Sequence, residues 1–418
     1  MVASLHYLDT FAKIDAAWYV AESKLILHWS ETRTVTARRR SEPTRRRPPA
    51  APPMSFPRLD RRTGVAATRS SALRGESELW SRALGGDGAA FSTATDRYRR
   101  ELEVHAYRML GSTEDAEDVV QETFLRAWRR RETFRGQAPL RAWLYGIATN
   151  ASLDLLERRK RRLLPHQAST SIDPETLPEP SKDISWLKRE MTWLEPYPDR
   201  LLDEVVSGED PPDEAIVARE TVELAFLVAI QQLAPRQRAV LILRDVIGWS
   251  ARETAAMLEM SVVASNSALQ RARETLRVHL PERRDEWHRE HRPDPREQEV
   301  LARYMEAWKR TDVDALSALL KEDALLTMPP TPGWFFGRDA ILRFYARYPF
   351  RIAASEHLHV PTRANRQPAH AVWRRVEPGA PPEPFGIEVL RIEDGLIAEI
   401  HYFLLPYLFE RFALAAPA

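Results

Sequence analysis

Four polar side chains in the first half of the chain recur at helical spacing and could form a charged binding face. Asp115, Asp118, Gln121 and Glu122 fall within two turns of a predicted helix, where residues three and four positions apart are neighbours. The opposite side of that helix is apolar. Such an acidic face is more often solvated surface than a binding site, so the spacing alone leaves both interpretations open.

A second set of polar residues indicates contact with a nucleic acid. Asn150, Asp154 and Arg158 repeat every four residues on the next predicted helix, which continues into the basic run Arg158–Arg162. Five consecutive basic side chains repel one another without an anionic partner. Asn and Arg beside an aromatic residue such as Trp143 can contact phosphates and hold an unstacked base.

A third set lies on two short helices farther along the chain. Ser250 and Glu253 form a predicted capping box at the start of the first helix, and a turn at Glu259–Ser261 precedes the second. The second helix has a core face of Val262, Ser265, Leu269, Ala272 and Leu276, and an outer face of Asn266, Ser267, Gln270, Arg271 and Arg273. This pattern predicts a helix-turn-helix; a plain helical hairpin is the alternative.

One residue departs from the core pattern of that second helix. Ser265 stands where an apolar residue is expected. Its buried hydroxyl should cost about 1 kcal/mol of packing, unless it donates a hydrogen bond to a carbonyl one turn earlier.

The elements that carry these residues group into six segments. Prolines break helices and sheet ladders, and a change from helical spacing to β-type alternation near the end of the chain indicates an α+β unit. The predicted segments are a disordered basic Pro- and Arg-rich tail over 1–82, a helical domain over 83–163, a linker over 164–213, a second helical domain over 214–284, a hinge over 285–296 and an α+β domain over 297–414. The tail could be a DNA-binding arm or, because Met54 could equally begin the chain, an untranslated extension.

Composition excludes several classes of protein. The 418 residues carry a formal net charge of +1 and include no Cys. A disulfide framework, a thiolate metal site and a cysteine nucleophile are therefore excluded. No apolar run reaches the roughly 20 residues that span a bilayer, so we expect a soluble cytoplasmic protein that does not contact a membrane.

Three motifs in the first helical domain resemble the promoter-melting domain of extracytoplasmic-function RNA polymerase sigma factors. They are Asp115–Phe124, Phe134–Gly136 and Trp143–Asn150. The resemblance implies that Asp115, Asp118, Gln121 and Glu122 bind the clamp helices of the largest subunit of core RNA polymerase. It also implies that the −10 promoter element is contacted by Phe134, Trp143, Tyr145, Asn150, Asp154, Arg158, Arg159, Lys160 and Arg161.

The helix-turn-helix segment resembles the −35-reading domain of the same family. The implied contacts to promoter DNA come from Asn266, Ser267, Gln270, Arg271 and Arg273, with Arg273 on a phosphate. The resemblance also adds the polymerase flap to the expected partners.

The linker contains one segment with a possible docking role. Trp193–Asp199 places aromatic residues between prolines, which gives a stiff segment, although a surface loop with incidental aromatics is an equal alternative. The segment resembles the linker signature of sigma factors that carry a SnoaL-like domain. That resemblance implies that Trp193 and Pro196 dock between domains.

Residues 297–414 resemble such a SnoaL-like domain, which implies a curved sheet wrapped by helices around a conical pocket. A small molecule is a possible ligand of this pocket. Relatives with this fold include isomerases and cyclases with an Asp/His acid–base pair, and Asp323 and His401 are the candidates here. Their spacing does not separate them from ordinary fold residues, so we expect no enzyme activity, no cofactor and no metal.

Together these features predict a multidomain sigma factor with two all-α domains followed by a cone-shaped α+β domain. It would direct core polymerase to promoters, and its SnoaL-like domain would modulate that activity in cis. Two other classes remain open: an isomerase or cyclase with a DNA-binding appendage, and a helix-turn-helix repressor that does not bind polymerase.

Overall fold

The structure is a computed structural model that describes residues 2–14, 17–30, 78–134, 139–158, 162–177, 193–206, 222–279, 294–350 and 356–417. Its amino-terminal unit contains an antiparallel hairpin of β1 (Val2–Ile14) and β2 (Ala17–Ser30). This hairpin differs from the disorder predicted for 1–82. The Arg and Pro runs behind that prediction all lie at 38–62, outside the described residues, whereas the two strands are rich in residues that favour β-structure.

The second unit begins with a helical domain of five helices. They are α1 (78–84), α2 (Gly88–Asp96), α3 (Arg99–Leu110), α4 (Thr113–Arg129) and α5 (Leu140–Arg158). Gly111, with φ +72°, ends α3 in the left-handed conformation that glycine adopts readily. The Ser112 hydroxyl then caps α4 by accepting a hydrogen bond from the Asp115 amide.

This domain begins earlier than the predicted residue 83. Trp80 on α1 is buried, and its ring packs edge-on against Phe134 and Trp143 at centroid distances of 5.1 and 5.6 Å. The aromatic cluster therefore includes a residue from the stretch predicted to be disordered, because packing the Trp80 ring on this cluster removes its apolar surface from water.

The second helical domain is a helix-turn-helix preceded by two further helices. Its elements are α8 (Leu224–Gln231), α9 (Pro235–Leu241), a π-helical continuation over Ile242–Val246, α10 (Ala251–Met257) and α11 (Val262–His279). The predicted capping box is confirmed: Ser250 caps α10, and the Glu253 carboxylate accepts a hydrogen bond from the Ser250 amide at 2.8 Å.

The carboxyl-terminal domain combines helices with a six-stranded sheet, as predicted. Its elements are α12 (Pro295–Lys309), α13 (Val313–Leu319), β3 (Leu320–Thr327), β4 (Trp334–Phe336), α14 (Arg338–Arg347), β5 (Glu356–Ala364), β6 (Gln367–Arg375), β7 (Glu383–Glu393), β8 (Leu396–Phe403) and α15 (Leu408–Arg411). The strand order is β4-β3-β8-β7-β6-β5, and β3 and β8 form the parallel pair.

The two faces of this sheet lie in different cores. One face packs on α12–α14 through residues such as Leu326, Leu390 and Ile400. The other face, which includes Trp373 and Val389, lies in the same core as α3, α8 and α9. Because alternate strand residues point to opposite faces, the sheet is buried on both sides. One of these cores therefore contains residues from all three predicted domains.

The described part of the predicted linker is built into that core. It includes the short helices α6 (Pro165–Ala168) and α7 (Asp199–Val206). Trp193, Pro196 and Tyr197 between them are buried. The linker is therefore a structural segment in its described residues, because its aromatic side chains fill space between domains.

A tight turn between β5 and β6 joins this linker to both helical domains. Asn365 and Arg366 have φ values of +56° and +62°, as a two-residue hairpin turn requires. The Asn365 side-chain oxygen accepts a hydrogen bond from the Tyr197 backbone amide at 2.8 Å, and the Asn365 backbone amide donates to the Tyr197 carbonyl at 2.9 Å. The side-chain amide nitrogen of Asn365 also donates to the Tyr107 hydroxyl at 2.8 Å and to the Val222 carbonyl at 2.6 Å. We call Tyr107, Tyr197, Val222 and Asn365 the Tyr197 junction.

Replacing Asn365 tests this junction. Asn365→Gly keeps the positive φ but removes the side chain, so the buried Tyr197 amide and Val222 carbonyl lose partners. We expect the free energy of unfolding to fall by about 2 kcal/mol. Asn365→Ala should cost about 1 kcal/mol more because of its left-handed backbone. Denaturant unfolding measures both values, and unchanged stability in both variants would contradict the assignment.

Candidate functional site

The acidic stripe predicted on α4 is present in part. Asp118 and Gln121 are exposed. Glu122 is partly exposed and forms an ion pair with Arg126 at 2.7 Å. Leu125, 50% exposed, lies on the same face because it follows Asp118 by seven residues. The exposed α4 stripe is therefore Asp118, Gln121, Glu122 and Leu125, an apolar side chain among acidic and amide groups.

Leu125 was absent from the predicted set, although its spacing was available in the sequence. An isolated Leu on a helix is normally assigned to the core, and only the packing of α4 shows that this one faces solvent.

Asp115 is a correction, because it does not lie on this exposed stripe. It is 3% exposed, and its carboxylate pairs with the Arg162 guanidinium at 2.7 Å. Arg162 also pairs with Glu195 at 3.2 Å and donates to the Trp193 carbonyl at 2.8 Å. The linker covers the first turn of α4, so Asp115 serves as an internal ion-pair partner.

On α5, the stripe of Asn150, Asp154 and Arg158 is exposed as predicted from the spacing. Asp154 pairs with Arg126 of α4 at 2.8 Å. Trp143 is half-buried at the end of the same stripe and packs against Phe134 at 5.3 Å. Arg159, Lys160 and Arg161 lie outside the described residues.

Tyr145 is a second correction. Its side chain is buried, its hydroxyl lies 3.2 Å from a Glu101 carboxylate oxygen, and its ring packs against Trp249 at 5.0 Å. A buried ring cannot stack on a base in this arrangement. Tyr145 instead forms part of the contact between the two helical domains.

The outer face of α11 agrees with the predicted helix-turn-helix in most positions. Asn266, Gln270 and Arg271 are exposed, and Ser267 is half-exposed. Arg273 differs, because it forms a two-point ion pair with Asp245 at 2.6 and 2.8 Å, and these hydrogen bonds raise the pKa of Arg273. Its guanidinium is occupied within the domain and is not free for a phosphate.

The core face of α11 also needs one correction. Val262 is 41% exposed, and Ala268 is buried among the inward-facing residues instead. Ser265 is buried as predicted, and within the described residues its hydroxyl finds no hydrogen-bond partner. The hydroxyl therefore keeps the predicted desolvation cost without the compensating bond.

Trp193 and Pro196 are both buried at the boundary between the helical domains and the carboxyl-terminal domain. The Trp193 indole nitrogen donates to the Pro330 carbonyl at 2.9 Å. Near the same boundary, Arg411 of α15 forms ion pairs with Glu103 of α3 and Glu117 of α4. The carboxyl-terminal domain thus contacts the helix that carries the exposed α4 stripe.

The two helical domains also contact each other directly. The buried Arg238 guanidinium on α9 donates to the Met109 carbonyl of α3. A β-carbon on Gly146 of α5 would lie 3.1 Å from the Met257 side chain, so glycine permits this close approach. These contacts bring α9 and α10 against α3 and α5.

The carboxyl-terminal domain contains a buried Glu–His pair that the sequence pattern did not indicate. Glu388 and His370 lie 3.3 Å apart beneath Tyr304. Burial raises the pKa of Glu388 to about 8 and lowers the pKa of His370 well below its usual value. Both groups are therefore uncharged near neutral pH.

Asp323 and His401, the acid–base pair considered from the sequence, are arranged differently from Glu388 and His370. Asp323 is exposed, whereas His401 is buried and hydrogen-bonded to Thr327 at 2.9 Å and Glu399 at 2.8 Å. Across the described ranges, no group of three or more His, Asp or Glu side chains could hold a metal ion. No helix of the described chain is both long and apolar enough to cross a bilayer.

Comparison with known families gives three matches along the chain. Sigma-70 region 2 matches residues 95–162, Sigma-70 region 4 matches residues 223–276, and a SnoaL-like domain matches residues 301–400. The matched segments coincide with the two helical domains and the α+β domain of the structure.

Comparison with individual proteins gives relatives in Mycobacterium tuberculosis. The chain is 42% identical over 330 residues to the ECF RNA polymerase sigma factor SigG of strain H37Rv, covering 78% of this chain and 84% of that relative. It is 30% identical over 254 residues to SigJ of the same strain, covering 59% and 69%. The crystal structure of M. tuberculosis SigJ aligns with 24% identity and a TM-score of 0.48, covering 76% and 98%.

The Glu388–His370 pair predicts a particular pH dependence of stability. Glu388 keeps its proton in the folded state up to about pH 8 but ionises near pH 4.5 when unfolded. The contribution of Glu388 to the free energy of unfolding is thus fully present below pH 4.5 and is lost as the pH rises toward 8. The unfolding free energy of Glu388→Gln relative to the wild type should therefore increase between pH 5 and 8, by up to about 1.4 kcal/mol per pH unit. Denaturant unfolding at pH 5.5, 6.5 and 7.5 measures this difference, and a constant difference would refute the assignment.

Proposed function

The chain belongs to the extracytoplasmic-function RNA polymerase sigma factors, and we propose that three exposed stripes carry its activity while its carboxyl-terminal domain restrains it in cis. Membership rests on the matches to both sigma-70 regions and on the 42% identity to a sigma factor of that group. The observation that supports the proposal is that the stripes on α4, α5 and α11 face solvent while the regions between them are packed together.

The polymerase-binding surface is the exposed α4 stripe. Asp118 and Gln121 share a helix face with the exposed apolar side chain of Leu125. An exposed apolar side chain beside polar groups is typical of protein interfaces, and the carboxylates of Asp118 and Glu122 on the same face favour a basic partner surface. The clamp helices of the largest polymerase subunit are the proposed partner.

The promoter-binding surfaces are the stripes on α5 and α11. Asn150 and Arg158 would contact the −10 element next to the half-buried Trp143, and Asn266 with Arg271 would contact the −35 element. Asn and Arg read base edges and phosphates. Because Asp154 pairs with Arg126, we assign Asp154 to the support of the stripe and not to a DNA contact.

The packing of the two helical domains supports a restraining role for the carboxyl-terminal domain. Promoter elements centred about 25 base pairs apart lie roughly 85 Å apart on B-DNA. In this structure the Tyr145 and Trp249 rings are 5.0 Å apart across the boundary between the two domains. Two touching domains of this size, each with a radius of gyration of about 12 Å, cannot span that distance. The sigma factor would therefore open before it occupies both elements.

The Tyr197 junction is the proposed restraint. Asn365 bonds to α3 through Tyr107, to the linker through Tyr197 and to the segment before α8 through Val222. Arg411 adds ion pairs to α3 and α4. While these contacts hold, the helical domains stay packed together.

Charge reversal on the exposed α4 stripe tests the polymerase surface. Asp118→Arg should weaken binding to core polymerase at least tenfold, because a like charge would face a basic partner. Its stability should stay within about 0.5 kcal/mol of the wild type, since Asp118 is exposed. Glu299→Arg, an exposed reversal on α12, is the control. Fluorescence anisotropy with purified core enzyme measures the affinity, and equal binding by both variants would contradict the proposal.

Weakening the Tyr197 junction tests the restraint. Removing residues 297–418 would expose the apolar sheet face that lies in the shared core, so a point change is more informative. Asn365→Gly should shift the open-to-closed ratio about tenfold or more and raise transcription from a −10/−35 promoter. Asp394→Gly, in the β7–β8 turn where φ is also positive, is the matched control. Unchanged or reduced output from Asn365→Gly, with normal core binding, would refute the restraint.

A further inference from the structure

Two consecutive valines at the start of α11 face solvent. Val263 is 75% exposed and Val262 is 41% exposed, although the sequence pattern placed Val262 in the core. Single exposed apolar residues are common on proteins. These two, however, stand together on the helix that carries the polar outer face of the helix-turn-helix.

Neither packing nor helix formation accounts for valine at these positions. Val262 and Val263 are the first two residues of α11, and valine is a weaker helix former than many polar residues. The first helical turn favours Asp and Glu. Leaving apolar area in water gives up the stabilisation that burial would provide. An exposed valine pair here is therefore explained better by what it contacts than by the fold.

The first turn of α11 is held in place from both sides. The Ser261 hydroxyl accepts a hydrogen bond from the Ala264 amide at 3.1 Å. On the inner side of this turn Ser265 is buried, and the following turns bury Ala268 and Leu269 in the domain core. Since β-branched side chains have little rotamer freedom in a helix, Val263 projects from this turn as a stiff apolar group.

Val263 shares its face with the polar groups of the helix. Asn266, Ser267 and Gln270 follow it by three, four and seven residues, which places all four on one side of α11. Arg271 lies at the edge of the same exposed side. The surroundings of Val263 are thus amide, hydroxyl and basic groups, which favour a nucleic acid over an apolar protein surface.

We infer that Val263, flanked by Val262, contacts the C5-methyl group of a thymine in the −35 element and so determines base specificity at that position. The inference rests on the proposed function of α11. The first residues of a recognition helix are those that reach base edges in the major groove. There the thymine methyl is the apolar feature that distinguishes T·A from the other base pairs, and Asn266 and Gln270 supply amide groups that can read neighbouring adenines.

The test replaces single methyl groups on the DNA. Holoenzyme assembled from core polymerase and the full chain first selects promoters from duplexes with a randomised −35 element. Each thymine of the selected element is then replaced in turn by deoxyuridine, which lacks only the methyl group. We expect the wild type to lose about fourfold in affinity at one position, the effect of one buried methyl group.

The matched variants are Val263→Ala and Val278→Ala. Val278 is 77% exposed near the other end of the same helix. Val263→Ala should bind the thymine duplex about fourfold more weakly than the wild type, and its affinity should not change on replacement by deoxyuridine at that position. Val278→Ala should behave as the wild type. Alanine is the better helix former, so both variants keep α11.

Three outcomes would overturn the inference. One is a wild-type holoenzyme that selects a −35 element but responds to deoxyuridine at no position. Another is the same loss on deoxyuridine replacement in Val263→Ala as in the wild type. The third is a defect of Val263→Ala in binding core polymerase without DNA, which would assign the valines to a protein contact. A wild-type holoenzyme that selects no element at all would instead refute the proposed function, and the inference with it.

Discussion

The buried hydrogen bonds of the Tyr197 junction determine how the parts of this sigma factor are placed. A two-residue turn of the sheet presents Asn365 to backbone groups of the linker and of the segment before α8. Buried backbone groups need partners. This turn provides them for the linker and for the segment before α8, and it also bonds to the Tyr107 hydroxyl of α3. The junction lies beside a core that contains residues from both helical domains and from the sheet.

Ion pairs between charged residues also favour this packing of the domains over other packings. Arg162 lies between Asp115 and Glu195, and Arg411 lies between Glu103 and Glu117. Buried ion pairs add little net stability because their charges lose hydration, but an unpaired partner is costly. Few other arrangements of the first helical domain, the linker and the carboxyl-terminal domain would pair all of these charges. The packed state is thus well defined, although no single ion pair contributes much energy to it.

This arrangement places the proposed binding surfaces and the proposed restraint on their use in one chain. The stripes on α4, α5 and α11 face solvent, yet the helices that bear them are packed against one another or against the carboxyl-terminal domain. The SnoaL-like domain uses one sheet face for its own core and the other for the shared core. Its Glu388–His370 pair lies in the first of these cores and is uncharged near neutral pH.

The sequence alone determined the helices, the capping box at Ser250, the helix-turn-helix, the α+β character of the last domain and the single stripe shared by Asn150, Asp154 and Arg158, because each depends on local spacing. The tertiary structure decided which polar residues are available. Asp115 and Tyr145 fit exposed patterns but are buried, and Val262 fits a core pattern but is exposed. Helical periodicity shows which residues share a face. It cannot show what covers that face, because the covering groups, such as Glu195 and Trp249, come from distant parts of the chain.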